Sequence, residues 1–355
     1  MRDTTYRGRR AAVIENNKLR VTVLKEGGHI AEILDKRSGV NPLWIPPWPS
    51  IEPSSYDPQE HPEYGRGSDA SLLAGIMGHN LCLDIFGGPS EEESRAGITP
   101  HGEGSVALYE ISEKDGQLTM QAHLRLAQIR LQRQIVLIAE AVGIRETIQS
   151  LCAFDRPIGW TQHVTLGPPF LERGVTQFRA SAAQSKVYES DFGRAAYLKP
   201  GAEFDWPIAP HSDGGGVDLQ VFTKAPVSSG YTAHLMDERR EHASFVAFSP
   251  TFRLAFGYIW KRSDFPWMGI WEENHSRTDP PWNGKTLTRG MEFGVSPMPE
   301  SRREMTDRSR LFGVPTFRWL PAKSQVEVEY YAVIRETDSI PESLDWPMSG
   351  NLGRQ

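Results

Sequence analysis

Apolar and polar residues alternate with a period of two through much of the chain, the pattern of β-strands with one buried face. Leu19, Val21 and Val23 alternate with Arg20, Thr22 and Leu24, the turn pair Gly27-Gly28 follows, and Ile30 to Leu34 completes a predicted hairpin. Leu118, Met120, Ala122, Leu124 and Leu126 hold even positions, whereas Ile129, Leu131, Ile135 and Leu137 hold odd ones. One extra residue flips the buried face of a strand, so this change of parity predicts a turn or bulge near Ala127-Gln128. Further strands are predicted at 144–151, 160–166, 217–223, 244–249, 252–260 and 326–334.

Helical periodicity is nearly absent. Asp69 to Met77 and Glu300 to Arg310 can each carry a helical turn, but neither shows a long apolar stripe. Pro and Gly punctuate the chain, as expected of many strands joined by irregular loops. Three Pro-rich loops stand out: 41–66 with Trp44, Trp48, Tyr56 and Tyr64; 264–284 with Trp267, Trp271 and Trp282; and the loop of Pro297 and Pro299. Long aromatic loops on a β scaffold either hold ligands or cover sheet edges. With no repeat, low-complexity tract or linker, residues 1–355 are expected to form a single all-β domain, a large antiparallel β-sandwich with few short helices.

Composition narrows the function. Charged residues make up 24% and hydrophobic residues 39%, ordinary for a globular chain of 355 residues. The net charge is −6 and the basic residues are interspersed, which argues against a nucleic-acid partner. No apolar run approaches the ~18 residues of a membrane span, and the first residues lack a signal-peptide core. Two cysteines, Cys82 and Cys152, are too few for a disulfide framework. A cytoplasmic protein, monomeric or homodimeric, is expected. Ten Trp residues supply many flat apolar faces of the kind that stack on sugars.

Of ten His residues, two have distinctive settings. His101 lies in Ile98-Thr99-Pro100-His101-Gly102-Glu103-Gly104, a tight loop whose backbone can approach a ligand. His163 lies on a predicted strand, sharing a face with Thr161 and Thr165 before a Gly167-Pro168-Pro169 stop. His123 is expected in solvent, and His29, His61, His211, His234, His242 and His275 in loops or at the surface. Glu292 lies within Gly290-Met291-Glu292-Phe293-Gly294, where partial burial would raise its pKa. His79, His101, His163 and Glu292 lack the local spacing of a metal site, so no metal is expected.

The order of these elements resembles the aldose 1-epimerase (galactose mutarotase) family. The likeness rests on His101-Gly102, on Gln162-His163-Val164-Thr165-Leu166-Gly167, on Met291-Glu292-Phe293-Gly294-Val295-Ser296-Pro297, and on an opening hairpin with Gly27-Gly28-His29-Ile30 and Leu34-Asp35. It spans about residues 15 to 335. The resemblance implies a galactose mutarotase-like supersandwich and a cofactor-free isomerase that interconverts sugar anomers. It implies Glu292 as base, His163 as acid and His101 as supporting donor.

The family's Gly-Arg-x-x-Asn-Arg segment is missing, and Met77-Gly78-His79-Asn80-Leu81-Cys82-Leu83-Asp84 stands nearest to it. His79, Asn80 or Asp84 is expected in place of its substrate-binding arginine. Asp237 is the nearest match to a further substrate-binding acid, and Trp160 and Trp271 are the expected indole platforms. The ligand would be a monosaccharide or short oligosaccharide. Two other functions share these features: a sugar-binding or regulatory protein without turnover, and a lyase or glycoside hydrolase pairing Glu292 with Glu272 or Glu273.

Overall fold

A computed structural model describes residues 2–190 and 192–347. Two large antiparallel sheets, of twelve and eight strands, dominate it. The middle of the larger sheet runs His79–Asp84, Arg156–Leu166, Leu287–Gly294, Trp267–Asn274 and Ser228–Met236, side by side. The eight-stranded sheet is built around Gln325–Glu336, flanked by Leu254–Lys261 and Ala141–Ser150. The helices are short: Ala70–Gly75, Glu91–Arg95 and Arg302–Arg308. The last two open with capping boxes, Ser90 with Glu93 and Ser301 with Glu304, which satisfy otherwise unpaired N-terminal N–H groups. Among the described residues, no helix is long and apolar enough to cross a membrane.

The main core lies between the sheets. Leu81, Leu83, Trp160, Val164, Met291 and Phe293 meet Ile144, Phe256, Trp260 and Tyr330 there. Trp260 stacks on Phe293 with centroids 4.2 Å apart. A polar network crosses this core. Arg133 and Glu146, both fully buried, approach to 2.6 Å. Glu146 also accepts from Trp160 Nε1 at 3.0 Å and from Gln162 Nε2 at 2.7 Å. His79 joins through Gln162 Oε1 and the Tyr258 hydroxyl, each at 2.9 Å. A buried ion pair is costly unless its remaining lone pairs and protons find partners. Here Arg133 Nη1 donates to the Gly28 carbonyl at 2.8 Å and Glu146 accepts from Trp160, Gln162 and Tyr330, while Arg133 Nη2 has no hydrogen-bond partner among the described residues.

The opposite face of the larger sheet is covered as well. Trp44, Leu72, Leu73, Ile76, Phe86, Tyr231, Trp267, Trp271 and Trp282 form a second apolar cluster against it. The central strands are therefore buried on both faces, and Trp267–Asn274 is buried at every position. That explains where the sequence reading differs from the structure. Two-sided burial removes the alternation that signals a strand, so 267–274 reads as loop and is strand. Predicted strand 217–223 shrinks to Gly216–Asp218. The parity change near 127–128 is a turn between Gln117–Leu124 and Ile129–Ile138, with Gln128 at φ 49°. His234, expected in a loop or at the surface, is fully buried on the strand Ser228–Met236; His29 is in a loop as expected but fully buried, and His123 is exposed.

Candidate active site

Strand register assembles the centre of a cleft on the covered outer face of the larger sheet. His163 stands opposite Glu292 on one neighbouring strand and opposite Asn80 on the other. Directly paired residues hold their Cβ atoms about 5 Å apart, close enough for side-chain contact. His163 Nε2 lies 3.0 Å from Glu292 Oε1. The approach is not aligned as a hydrogen bond, and Glu292 Oε1 has no hydrogen-bond partner among the described residues. His163 Nδ1 pairs with Thr165 Oγ1 at 2.9 Å, two residues along on the same face.

His101 arrives from a loop. Its φ of 68° and that of Gly102, 74°, fold the chain back against the strand His79–Asp84. A Cβ on Gly102 would lie 2.2 Å from the Leu83 carbonyl oxygen, so only glycine permits this approach. The turn brings the His101 ring within 4.7 Å of the His163 ring, centroid to centroid. Asn80 Nδ2 donates to His101 Nδ1 at 2.8 Å, which leaves the proton of a neutral ring on Nε2.

Space for the Glu292 carboxylate comes from glycine. A Cβ on Gly290 would stand 2.3 Å from Glu292 Oε1, and one on Gly269 would stand 2.0 Å from the Tyr231 hydroxyl. The cleft encloses about 160 Å³, lined by His101, His163, Glu292, Trp271, Trp282 and Arg277 together with Asp69 and apolar side chains. It is smaller than the ~300–1,000 Å³ of drug-sized sites and suits a small ligand.

Burial sets the protonation of this centre. It holds the Glu292 carboxyl well above the usual carboxylate range and lowers His163 to about 4. It also holds His101 well below the ordinary histidine value, with the neighbouring His163 adding to the effect. Both shifts favour the uncharged forms, a protonated carboxyl and neutral imidazoles, and so run against the expected pairing of an ionised Glu292 with a His163 at its ordinary pKa.

The residues expected to touch substrate divide. Trp271 lines the cleft, its ring 5.8 Å from that of His163. Asn80 is present but engaged with His101. His79 and Trp160 are corrected: each is offset by an odd number of residues from a cleft-facing neighbour, so each turns into the core network. Asp84 is also corrected, being buried against Arg156 and, at 3.2 Å, Arg302. Asp237 lies just past the end of the strand Ser228–Met236, is held by Arg239 at 2.9 Å and does not line the cleft. Glu272 is spent on Ser228 and Arg289, on the face opposite Trp271. Glu273 accepts from Ser276 and from the Arg277 backbone N–H.

Arg277 escapes the sequence reading. Its guanidinium lies 4.7 Å from the Trp282 ring centroid and 5.5 Å from that of Trp271, with Nε 3.5 Å from Glu273 Oε2. A cation in the cleft thus comes from the loop after Trp267–Asn274 rather than from the segment before His101. The signal available was its position in the second aromatic Pro-rich loop. Among the described residues, no group of three or more His, Cys, Asp or Glu side chains is arranged to hold a metal ion.

No protein-family model matches this sequence, and no curated protein sequence matches it. Solved structures do. A galactose mutarotase-like protein from Clostridium acetobutylicum superposes with a TM-score of 0.61 at 11% identity, over 95% of this chain and 98% of that one. A galactose mutarotase related enzyme from Lactobacillus acidophilus gives 0.58 at 13%, over 93% and 99%. A Klebsiella pneumoniae protein described as a candidate aldose 1-epimerase gives 0.62 at 10%, over 93% and 80%. At such identities the likeness carries the architecture and not the substrate. The sheets, their order and these superpositions together show that the chain has the galactose mutarotase-like fold, the all-β sandwich that the motif order implied.

Proposed function

We propose that this protein interconverts the anomers of a free sugar, an aldose 1-epimerase-type reaction. The observation that carries the reading is the buried pair of His163 Nε2 and Glu292 Oε1, 3.0 Å apart at the floor of the cleft. Anomer exchange needs one group to protonate the ring oxygen and another to take the proton of the anomeric hydroxyl. A protonated Glu292 and a neutral His163 supply both at once. In this reading Nδ1–H donates to Thr165 Oγ1, which leaves the free lone pair of His163 on Nε2.

Ring opening then proceeds as follows. The anomeric hydroxyl gives its proton to His163 Nε2, the carbon–ring oxygen bond breaks, and the ring oxygen takes the Glu292 proton. An open-chain aldehyde results, flanked by a carboxylate and an imidazolium that neutralise each other. Rotation about the bond next to the aldehyde presents its other face, and the same steps in reverse close the ring. His101, with its proton on Nε2, donates to a sugar oxygen. These roles are opposite to those implied by the resemblance, because burial disfavours both charged forms. Arg277 between two indoles anchors a sugar hydroxyl at the edge of the cleft, and Trp271 gives its face to the ring.

The test is polarimetry of freshly dissolved α-aldoses with wild-type protein and Glu292→Gln. Acceleration by the wild type that falls about 10²-fold or more in the variant supports the proposal. No acceleration of any aldose, or equal acceleration by both proteins, overturns it.

A further inference from the structure

The cleft wall facing the acid/base floor is apolar. Leu72, Leu73 and Ile76 come from the helix Ala70–Gly75 and its end, Phe86 follows the strand His79–Asp84, and Phe192 closes one side. No Asn, Gln, Ser, Thr or Lys side chain is among the described residues lining this cavity. The Tyr231 hydroxyl, which also lines it, donates to the Pro297 carbonyl at 3.0 Å and has no second proton to offer. Behind the floor, Asn80 Nδ2 is engaged with His101, and its Oδ1, without a hydrogen-bond partner among the described residues, can only accept. Beyond the floor, the charged side chains of the cavity are Asp69 and Arg277, which attract one another electrostatically.

A fully hydroxylated aldohexose does not match this surface. It carries a hydroxyl on every carbon outside the ring closure, and the floor with Asp69, Arg277 and the indole N–H groups of Trp271 and Trp282 serves only some of them. A hydroxyl pressed against Leu72, Ile76 or Phe86 loses its water and gains no partner. Hydrogen or a methyl group at that position replaces an unmet hydrogen bond with apolar contact. We infer that the site selects deoxy sugars, in which a wall-facing hydroxyl is replaced by hydrogen or the exocyclic carbon is a methyl group. The inference deepens the proposed reaction and rests on it for the identity of the floor, whereas the wall chemistry stands independently.

The experiment uses matched pairs that differ by one hydroxyl: D-galactose with D-fucose, L-mannose with L-rhamnose, and D-glucose with 2-deoxy-D-glucose. Two quantities are read: kcat/KM for anomer exchange by the wild type, and Kd by NMR titration of Glu292→Gln. At least one deoxy sugar is expected to exceed its parent about 10- to 100-fold in kcat/KM, with tighter binding in the same order. Ile76→Thr, which places a hydroxyl on the wall, is expected to narrow that ratio in kcat/KM and in Kd alike. Parents equal to or better than their deoxy partners in every pair, in both rate and affinity, overturn the inference, as does absence of binding by all six sugars. If no sugar is turned over but the deoxy members bind more tightly, the reaction is wrong and the selectivity stands.

Discussion

Gly290 and Glu292 share one face of one strand, and a Cβ on the glycine would stand 2.3 Å from the Glu292 carboxyl oxygen. The hydrogen in place of a side chain is what lets the carboxyl lie toward His163. Gly290→Ala is therefore expected to push the carboxyl out of place, with Trp271 Cβ, 3.2 Å from the same point, resisting any sideways escape. Such overpacking costs about 1–3 kcal/mol. Thermal denaturation would show that loss, and polarimetry a larger fractional loss of kcat. Full activity in the alanine variant would contradict this geometry.

The pH–rate profile should be a broad plateau with two limbs. In the proposed reaction the productive state needs His163 neutral and Glu292 protonated. Because burial lowers His163 to about 4, the acid limb should lie near pH 4 rather than near the ordinary histidine value of ~6.5. Because burial raises Glu292, the alkaline limb should lie well above the carboxylate range. Both are properties of the pair. A rate that halves near pH 6.5 on the acid side would refute the assignment.

The same burial links pH to stability. Glu292 has a folded-state pKa raised above its unfolded value of ~4.3. Its contribution is fully present below the unfolded pKa and is lost as pH rises through the folded one. Glu292→Gln removes that loss. Comparing denaturation midpoints at about pH 5 and about pH 9, the variant should lose less stability than the wild type between the two. A parallel decline would show that Glu292 does not titrate in this way.

Behind the floor, Arg133→Met should be far more damaging than any exposed substitution. It leaves Glu146 buried without its 2.6 Å counter-charge, a change that typically costs about 3–5 kcal/mol. Urea denaturation gives the value directly, and a change under 1 kcal/mol would mean that water or another group already serves Glu146.

How much of this was legible in the sequence depends on what each strand faces. Gln117–Leu124 and Gln325–Glu336 alternate because one side of their sheet meets solvent, and both were readable. Trp267–Asn274, covered on both sides, was not. His101, His163 and Glu292 were singled out by their motif order, but only the register shows that His163 and Glu292 are direct cross-strand partners. Strand parity alone separates Trp160 from His163, and His79 from Asn80, although all four had been placed in one site. Arg277 was hidden for another reason: nothing local in a loop bounded by Asn274 and Leu287 says that its guanidinium folds back over two indoles.

That loop is the connection of a single hairpin. Between Trp267 and Gly294 the chain contributes Trp271, Arg277, Trp282 and Glu292, whereas both histidines come from elsewhere. Arg277 and Trp282 sit on the loop at the hairpin's tip, whereas Trp271 and Glu292 are held in the strands themselves. Under the proposed reaction, exchanging residues 275–286 for another sequence replaces Arg277 and Trp282 at the cleft while leaving the His163–Glu292 pair on its strands, so this hairpin tip is a second place, beside the apolar wall, where ligand preference can diverge or be redesigned.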